Sequence, residues 1–220
     1  MKSKLIIGLV ILLVVACKQE NYETGDGVYS LMRADFAIAH TDASKTIDYF
    51  LTDENDQLAL QQPDKKSWAS VADTFYRVMV YYNKVEVAKA DVVSMTRVNV
   101  ARIMLKDSLK EAEKRDPVKL ESVWLSKNKR YLNSGFYLKT GSSTDDNQLH
   151  RLAIVKDTVI VNTDGKKTMR IWLFHDRGNV PEYYSQRSYY SIPVDTLSVD
   201  SVSLTIPTYD GMVTKTLCIK

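Results

Sequence analysis

The chain has 220 residues, and its formal net charge of +3 falls to +1 if Lys2 and Lys4 leave with the N-terminal segment described next. A nearly neutral body with scattered Lys and Arg lacks the basic stripe that phosphate-driven binding requires, so nucleic acid is excluded as the expected partner. No internal repeat or low-complexity stretch interrupts the chain, and its length accommodates one large β domain or two small ones.

Lys2 and Lys4 precede an unbroken apolar run from Leu5 to Ala16 that ends at Cys17. Crossing a bilayer takes about 20 apolar residues, whereas a secretory leader needs about 7–15 before small residues at a cut site. Residues 1–16 therefore read as a signal peptide. Cys17 directly after Val14, Val15 and Ala16 resembles the bacterial lipobox, which implies acylation of the thiol, cleavage before it and acylation of the new amine. Several acyl chains give the stable anchoring that one chain does not. Residues 17–27 then form the lipidated Cys and a short tether, and the membrane is the first expected partner. With Cys17 acylated, Cys218 has no partner within the chain and reads, between Leu217 and Ile219, as a small buried hydrophobe.

From residue 28 onward the periodicity is that of strands. Val28 to Ile38, Ile47 to Leu51, Leu58 to Leu60, Tyr76 to Tyr82 and Val92 to Met104 make about five, and Tyr76, Val78, Val80 and Tyr82 alternate with Arg77, Met79 and Tyr81. Five strands with a long pair suit a small closed barrel over residues 28–105. Lys106 to Arg115 is charged and rich in helix formers, and Asp116-Pro117 ends it. Residues 106–117 are thus expected as a short charged helical linker. Beyond it, Tyr131 to Leu138, Leu149 to Val155, Thr158 to Val161, Met169 to Phe174, Ser201 to Ile206 and Thr214 to Ile219 read as short strands separated by turn residues, the pattern of a β-sandwich over residues 118–220. Asp53-Glu54-Asn55-Asp56, Asp145-Asp146-Asn147 and Asp164-Gly165 fall between apolar runs, where Asp, Asn and Gly favour hairpin turns.

Catalytic and metal chemistry has no motif here. His40, His150 and His175 show no metal-ligand spacing, and His175-Asp176 reads as a solvated pair at a strand end. Neither acidic cluster carries the Gly and distal Glu of an EF-hand loop. A nucleophile elbow and a phosphate-cradling loop are both missing. The expectation is a chain that is not an enzyme, with no cofactor and no metal.

The thirteen tyrosines are the more informative feature. Tyr183, Tyr184, Tyr189 and Tyr190 flank Arg187 in a segment without clean alternation, and Tyr and Arg are the residues that dominate binding hot spots. Pro181 to Ser191 is therefore the expected partner-binding loop. Arg77 and Tyr81 form a secondary candidate on the barrel.

Gly25-Asp26-Gly27, Tyr29-Ser30, Ala34-Asp35-Phe36, Thr52-Asp53, Tyr76-Arg77-Val78, Asp116-Pro117, Trp124, Tyr131-Leu132-Asn133 and His150-Arg151, taken in order, resemble the NigD-like lipoproteins. Lys18-Gln19-Glu20 after Cys17 and the charge of the linker depart from that pattern. The resemblance implies an N-terminal OB-like barrel, a C-terminal β-sandwich and an origin in anaerobic Gram-negative bacteria. It also implies a lipid-anchored envelope protein, at the outer membrane, that binds a protein partner without catalysis in a bacteriocin-immunity role. The alternative expectation is a carbohydrate-binding accessory lipoprotein at the cell surface, since an OB sheet face also suits oligosaccharides.

Overall fold

The computed structural model describes residues 30–109, 113–141 and 149–220, so Cys17, the tether and Asp145-Asp146-Asn147 lie outside the described residues. The strands belong to one unit, Met32–Lys220. Strands β1 (Arg33–Thr41), β2 (Ile47–Thr52), β3 (Gln57–Asp64), β4 (Thr74–Glu86) and β5 (Lys89–Arg97) close into a barrel in the order β1-β2-β3-β5-β4. All neighbours are antiparallel except β3 and β5. The alternation of β4 has the expected outcome: Val78, Val80 and Tyr82 point into a core with Ala37, Ala39, Ile47, Phe50 and Leu58. Burial pushes the Tyr82 phenol far up, and its hydroxyl donates to Asp35 Oδ2 at 2.8 Å. The turn between β2 and β3 is the expected hairpin, with Asn55 at φ 69°.

The run from Val92 to Met104 is not one strand. β5 ends at Arg97, Val98 is buried with its N–H donating to the Arg77 carbonyl at 2.8 Å, and the chain then joins two sheets in turn. β6 (Asn99–Val100) edges a four-stranded sheet, β6-β12-β9-β8, and β7 (Ile103–Leu105) edges a five-stranded sheet, β14-β13-β11-β10-β7. Their other members are β8 (Lys119–Leu125), β9 (Tyr131–Thr140), β10 (Arg151–Val161), β11 (Lys167–Asp176), β12 (Tyr184–Pro193), β13 (Ser201–Thr208) and β14 (Gly211–Cys218). Leu132, Phe136, Ile154, Ile171, Leu173, Ile192, Val202, Leu204 and Ile206 fill the space between the two sheets. The Asp164-Gly165 hairpin joins β10 to β11, with Gly165 at φ 79°, a conformation open to glycine at little cost.

The linker corrects the expectation of a helix. Lys106–Ser108 is one 3-10 turn, and no α-helix occurs among the described residues. Helix propensity is a weak prior that packing overrides. Here Leu109 packs on Val155, Trp172 and Phe174, on the outer face of the five-stranded sheet, and the Arg115 guanidinium lies 4.3 Å from the Trp172 ring. Arg115 then bridges to His175, and Asp116 N–H donates to the His175 carbonyl at 3.0 Å.

Two smaller expectations also reverse. Cys218 is exposed, because its register opposite Ser201 on an edge strand turns it outward while Leu217, opposite Val202, takes the inner position. His175 and Asp176 are buried, because the linker strap and His150 cover them.

Candidate functional site

β12 decides where the tyrosines go. Pro181 to Ser191 is not a loop: from Tyr184 onward it pairs with β9 residue by residue, Tyr184 with Thr140 and Ser191 with Asn133. Its lack of apolar alternation misled because one strand face meets the sandwich core only at its far end. Tyr190 and Ile192 point inward, Tyr190 stacked on Phe136 at 5.4 Å. Strand alternation sends Arg187, Tyr189 and Ser191 to the outer face. Tyr184, on the inward-pointing row, passes beyond the core and is 56% exposed, and Tyr183 is 81% exposed beside Gly141. The five candidates therefore do not form one surface.

The outer face of the four-stranded sheet is divided in two. One half is covered by the barrel, and Arg77 is the residue that fastens it. Its guanidinium is buried, pairs with both oxygens of Asp53 at 2.6 Å, donates from Nε to Ser191 Oγ at 3.0 Å and from Nη2 to Asn133 Oδ1 at 3.2 Å. The Ser191 hydroxyl donates in turn to Asn133 Oδ1 at 2.6 Å, and the Tyr131 ring lies 4.1 Å from the guanidinium carbon. Neighbouring turns add a second clasp: Asn128 N–H donates to the Asp53 carbonyl at 2.9 Å, and Lys127 pairs with Glu54. The Arg77 guanidinium is thus committed to protein partners as a structural staple, which changes the role expected of the secondary candidate.

The other half of that face is open. Tyr137 from β9, Arg187 and Tyr189 from β12, and Glu121 from β8 lie together there. Arg187 Nε donates to Glu121 Oε2 at 2.7 Å, its Nη2 reaches Oε1, and its guanidinium carbon lies 5.1 Å from the Tyr189 ring and 5.9 Å from Tyr137. The pair raises the Arg187 pKa and lowers that of Glu121. Tyr189 lies flat because Gly135 opposite has no side chain; a Cβ there would come within 2.9 Å of the ring. Its edge also meets Phe36 of the barrel at 5.3 Å, and burial pushes the phenol pKa up. Tyr81 is half-buried, close enough to add to that push. A lone Gly inside the Tyr131–Leu138 run was the one sequence signal of this close approach.

Sequence reasoning missed a second cluster. β10 and β11 pair Leu152 with His175, which brings His150 Nδ1 to 2.9 Å from His175 Nε2. His175 Nδ1 donates to the Asp116 carbonyl at 2.9 Å, and His150 Nε2 faces the Lys139 carbonyl at 3.1 Å. Burial lowers both pKa values. Among the described residues no three His, Cys, Asp or Glu side chains gather as a metal-ligand set.

The model of the NigD-like C-terminal β-sandwich domain matches residues 101–217, over half of the chain. This chain belongs to the NigD-like family. The match begins at Ala101, so it takes in β7, which the sheet order also assigns to the sandwich. A NigD-like immunity protein from Bacteroides caccae ATCC 43185 shares the fold with a TM-score of 0.66 and 24% identity, covering 83% of this chain and 91% of that one. A protein of unknown function from Bacteroides vulgatus ATCC 8482 follows at 0.64 and 16% identity, over 85% and 90%. A candidate lipoprotein from Bacteroides fragilis NCTC 9343 gives 0.57 and 10% identity, over 86% and 98%. No curated protein matches the chain.

Proposed function

We propose that this NigD-like chain is an envelope lipoprotein, anchored at the outer membrane through Cys17, that binds a protein partner without catalysis in an immunity-type role. The observation that carries the reading is the open half of the four-stranded sheet's outer face. Tyr137, Arg187 and Tyr189 are of the types enriched at hot spots, and the Glu121 pair and the Gly135 seat hold them in place before any partner arrives, which lowers the entropic cost of binding. The fold shared with an immunity protein of Bacteroides caccae supports the same class of role. The barrel, with five strands and one parallel neighbour pair, is read as OB-like. A glycan on its face near Arg77 is disfavoured, because that guanidinium already serves Asp53, Asn133 and Ser191.

A photo-crosslinking side chain at Ser185, beside Arg187 on the open face, should capture a discrete protein species in living cells. The same group at Val161, exposed on the β10–β11 hairpin, should not. Equal yields at both positions, or none at Ser185, would remove the proposed face. Cys17→Ser should shift the protein out of the detergent phase; unchanged partitioning would show that the anchor lies elsewhere.

A further inference from the structure

We propose that a second site, the cleft where β5 leaves the barrel and β6 and β7 enter the sandwich, binds an extended peptide segment carrying carboxylates. The cleft is a cavity of about 790 Å³, within the range of roughly 300–1,000 Å³ typical of ligand sites. Its charge is one-sided. Arg97 and Arg102 line it together with Arg77, whose charge is already met by Asp53, and no Asp or Glu does. Among the described residues neither arginine has a carboxylate partner, Arg97 making a ring contact with Tyr76 at 5.6 Å; Arg170 is in the same position on the sandwich, whereas Arg33, Arg77, Arg115, Arg130, Arg151, Arg177 and Arg187 each have one. Two guanidiniums lining an acid-free cleft are complementary to an anion.

The apolar part of the lining is equally one-sided. Phe75 is 52% exposed, Val100 48% and Met104 36%, and all three lie in the same cleft. Single exposed apolar residues are ordinary, but a contiguous group marks a contact surface. Tyr190 also lines the cavity, so one residue of the tyrosine segment does serve a candidate site, though from the opposite side of the sheet to Tyr189.

The backbone selects a peptide over other anionic amphiphiles. β6 and β7 are the terminal strands of their sheets, so each has one edge without a strand neighbour among the described residues. Exposed edges are normally blunted by shortness, charge or proline; β7 is short, with three residues, but apolar throughout, Ile103, Met104 and Leu105, with Leu105 60% exposed. An extended segment added to such an edge satisfies the free backbone groups, and its alternating side chains can offer carboxylates to Arg97 and Arg102 and apolar groups to Phe75 and Met104.

The test uses the full-length chain in detergent and two blocked hexapeptides, one alternating glutamate with valine and phenylalanine, the other with lysine in place of glutamate, followed by fluorescence anisotropy at low salt. The acidic peptide should bind and the lysine peptide should not. R97E with R102E should weaken binding at least roughly tenfold, as reversal of a steering charge pair does, and added salt should do likewise. R97Q with R102Q should show a smaller loss in the same direction if the reversal perturbs folding. N-methylation of the peptide's alternate amides should abolish binding. R187E should leave it unchanged, which separates this cleft from the sheet face of the preceding section. Equal binding of both peptides, absence of binding by the acidic one, or indifference to the arginine substitutions would overturn the proposal. Arginine-dependent binding of dodecanoate but not of the peptide would do the same.

Discussion

Arg77 and Arg187 sit over the same sheet face, each paired with both oxygens of one carboxylate and each beside tyrosines, yet their surroundings give them opposite roles. The Arg77 side chain is 1% exposed and that of Asp53 14%; for Arg187 and Glu121 the values are 46% and 28%. Removing one partner of a buried pair strands a charge where water cannot reach it, while an exposed pair is screened and contributes little. The same chemistry thus fastens the barrel at one end of the sheet and, at the other, holds the side chains of the proposed contact surface in place.

The sharpest way to break this comparison is Asp53→Ala. It should lose about 3–5 kcal/mol of stability in urea titration, the usual cost of an orphaned buried charge, and R77M with D53L should regain much of it. If D53A unfolds like the parent, Arg77 is not a staple. Next in size is Tyr189→Ala. A half-buried ring wedged between Gly135 and Phe36 should cost about 2 kcal/mol, between the roughly 0.5 of a solvated residue and the 3–5 of a core aromatic. An unchanged melt would place Tyr189 wholly in the contact surface.

The His150–His175 pair gives a third, smaller effect. Burial lowers both pKa values below the ordinary 6.5, so the folded chain binds fewer protons than the unfolded one in this range. The stabilisation is complete above 6.5 and is lost as pH falls through the lowered values. The urea midpoint should drop between pH 7.5 and 5, and H150Q should flatten that drop; a midpoint that rises on acidification would contradict the assignment. The smallest effect is that of Arg187→Ala, which should leave the melt indistinguishable from the parent while reducing crosslinking from Ser185.

The barrel was legible where one side of a strand meets apolar neighbours and the other meets water. Tyr76 to Tyr82 is such a strand, and its alternation gave the correct inward row. β12 was illegible for the converse reason: its two faces are covered by different things along its length, the sandwich core at Tyr190, the barrel at Ser191 and solvent at Arg187, so no period-2 signal survives. The linker was misread because its composition suits a helix in isolation, whereas in the fold Leu109 and Arg115 pack at Trp172 and Arg115 and Asp116 pair with His175.

By itself the sequence determined what depends on near neighbours: the strand-rich class, the Asp53–Asp56 and Asp164-Gly165 turns, and through the order of its short words the NigD-like resemblance. The tertiary structure alone decided what depends on distant ones. Arg77 and Ser191 are 114 residues apart, and no local period records that a guanidinium will be buried against a hydroxyl on another sheet. The same holds for Tyr189 over Gly135, His150 against His175, and the unpaired Arg97 and Arg102 at the cleft: burial and partner choice are set by which surfaces pack together, and that is a property of the folded chain.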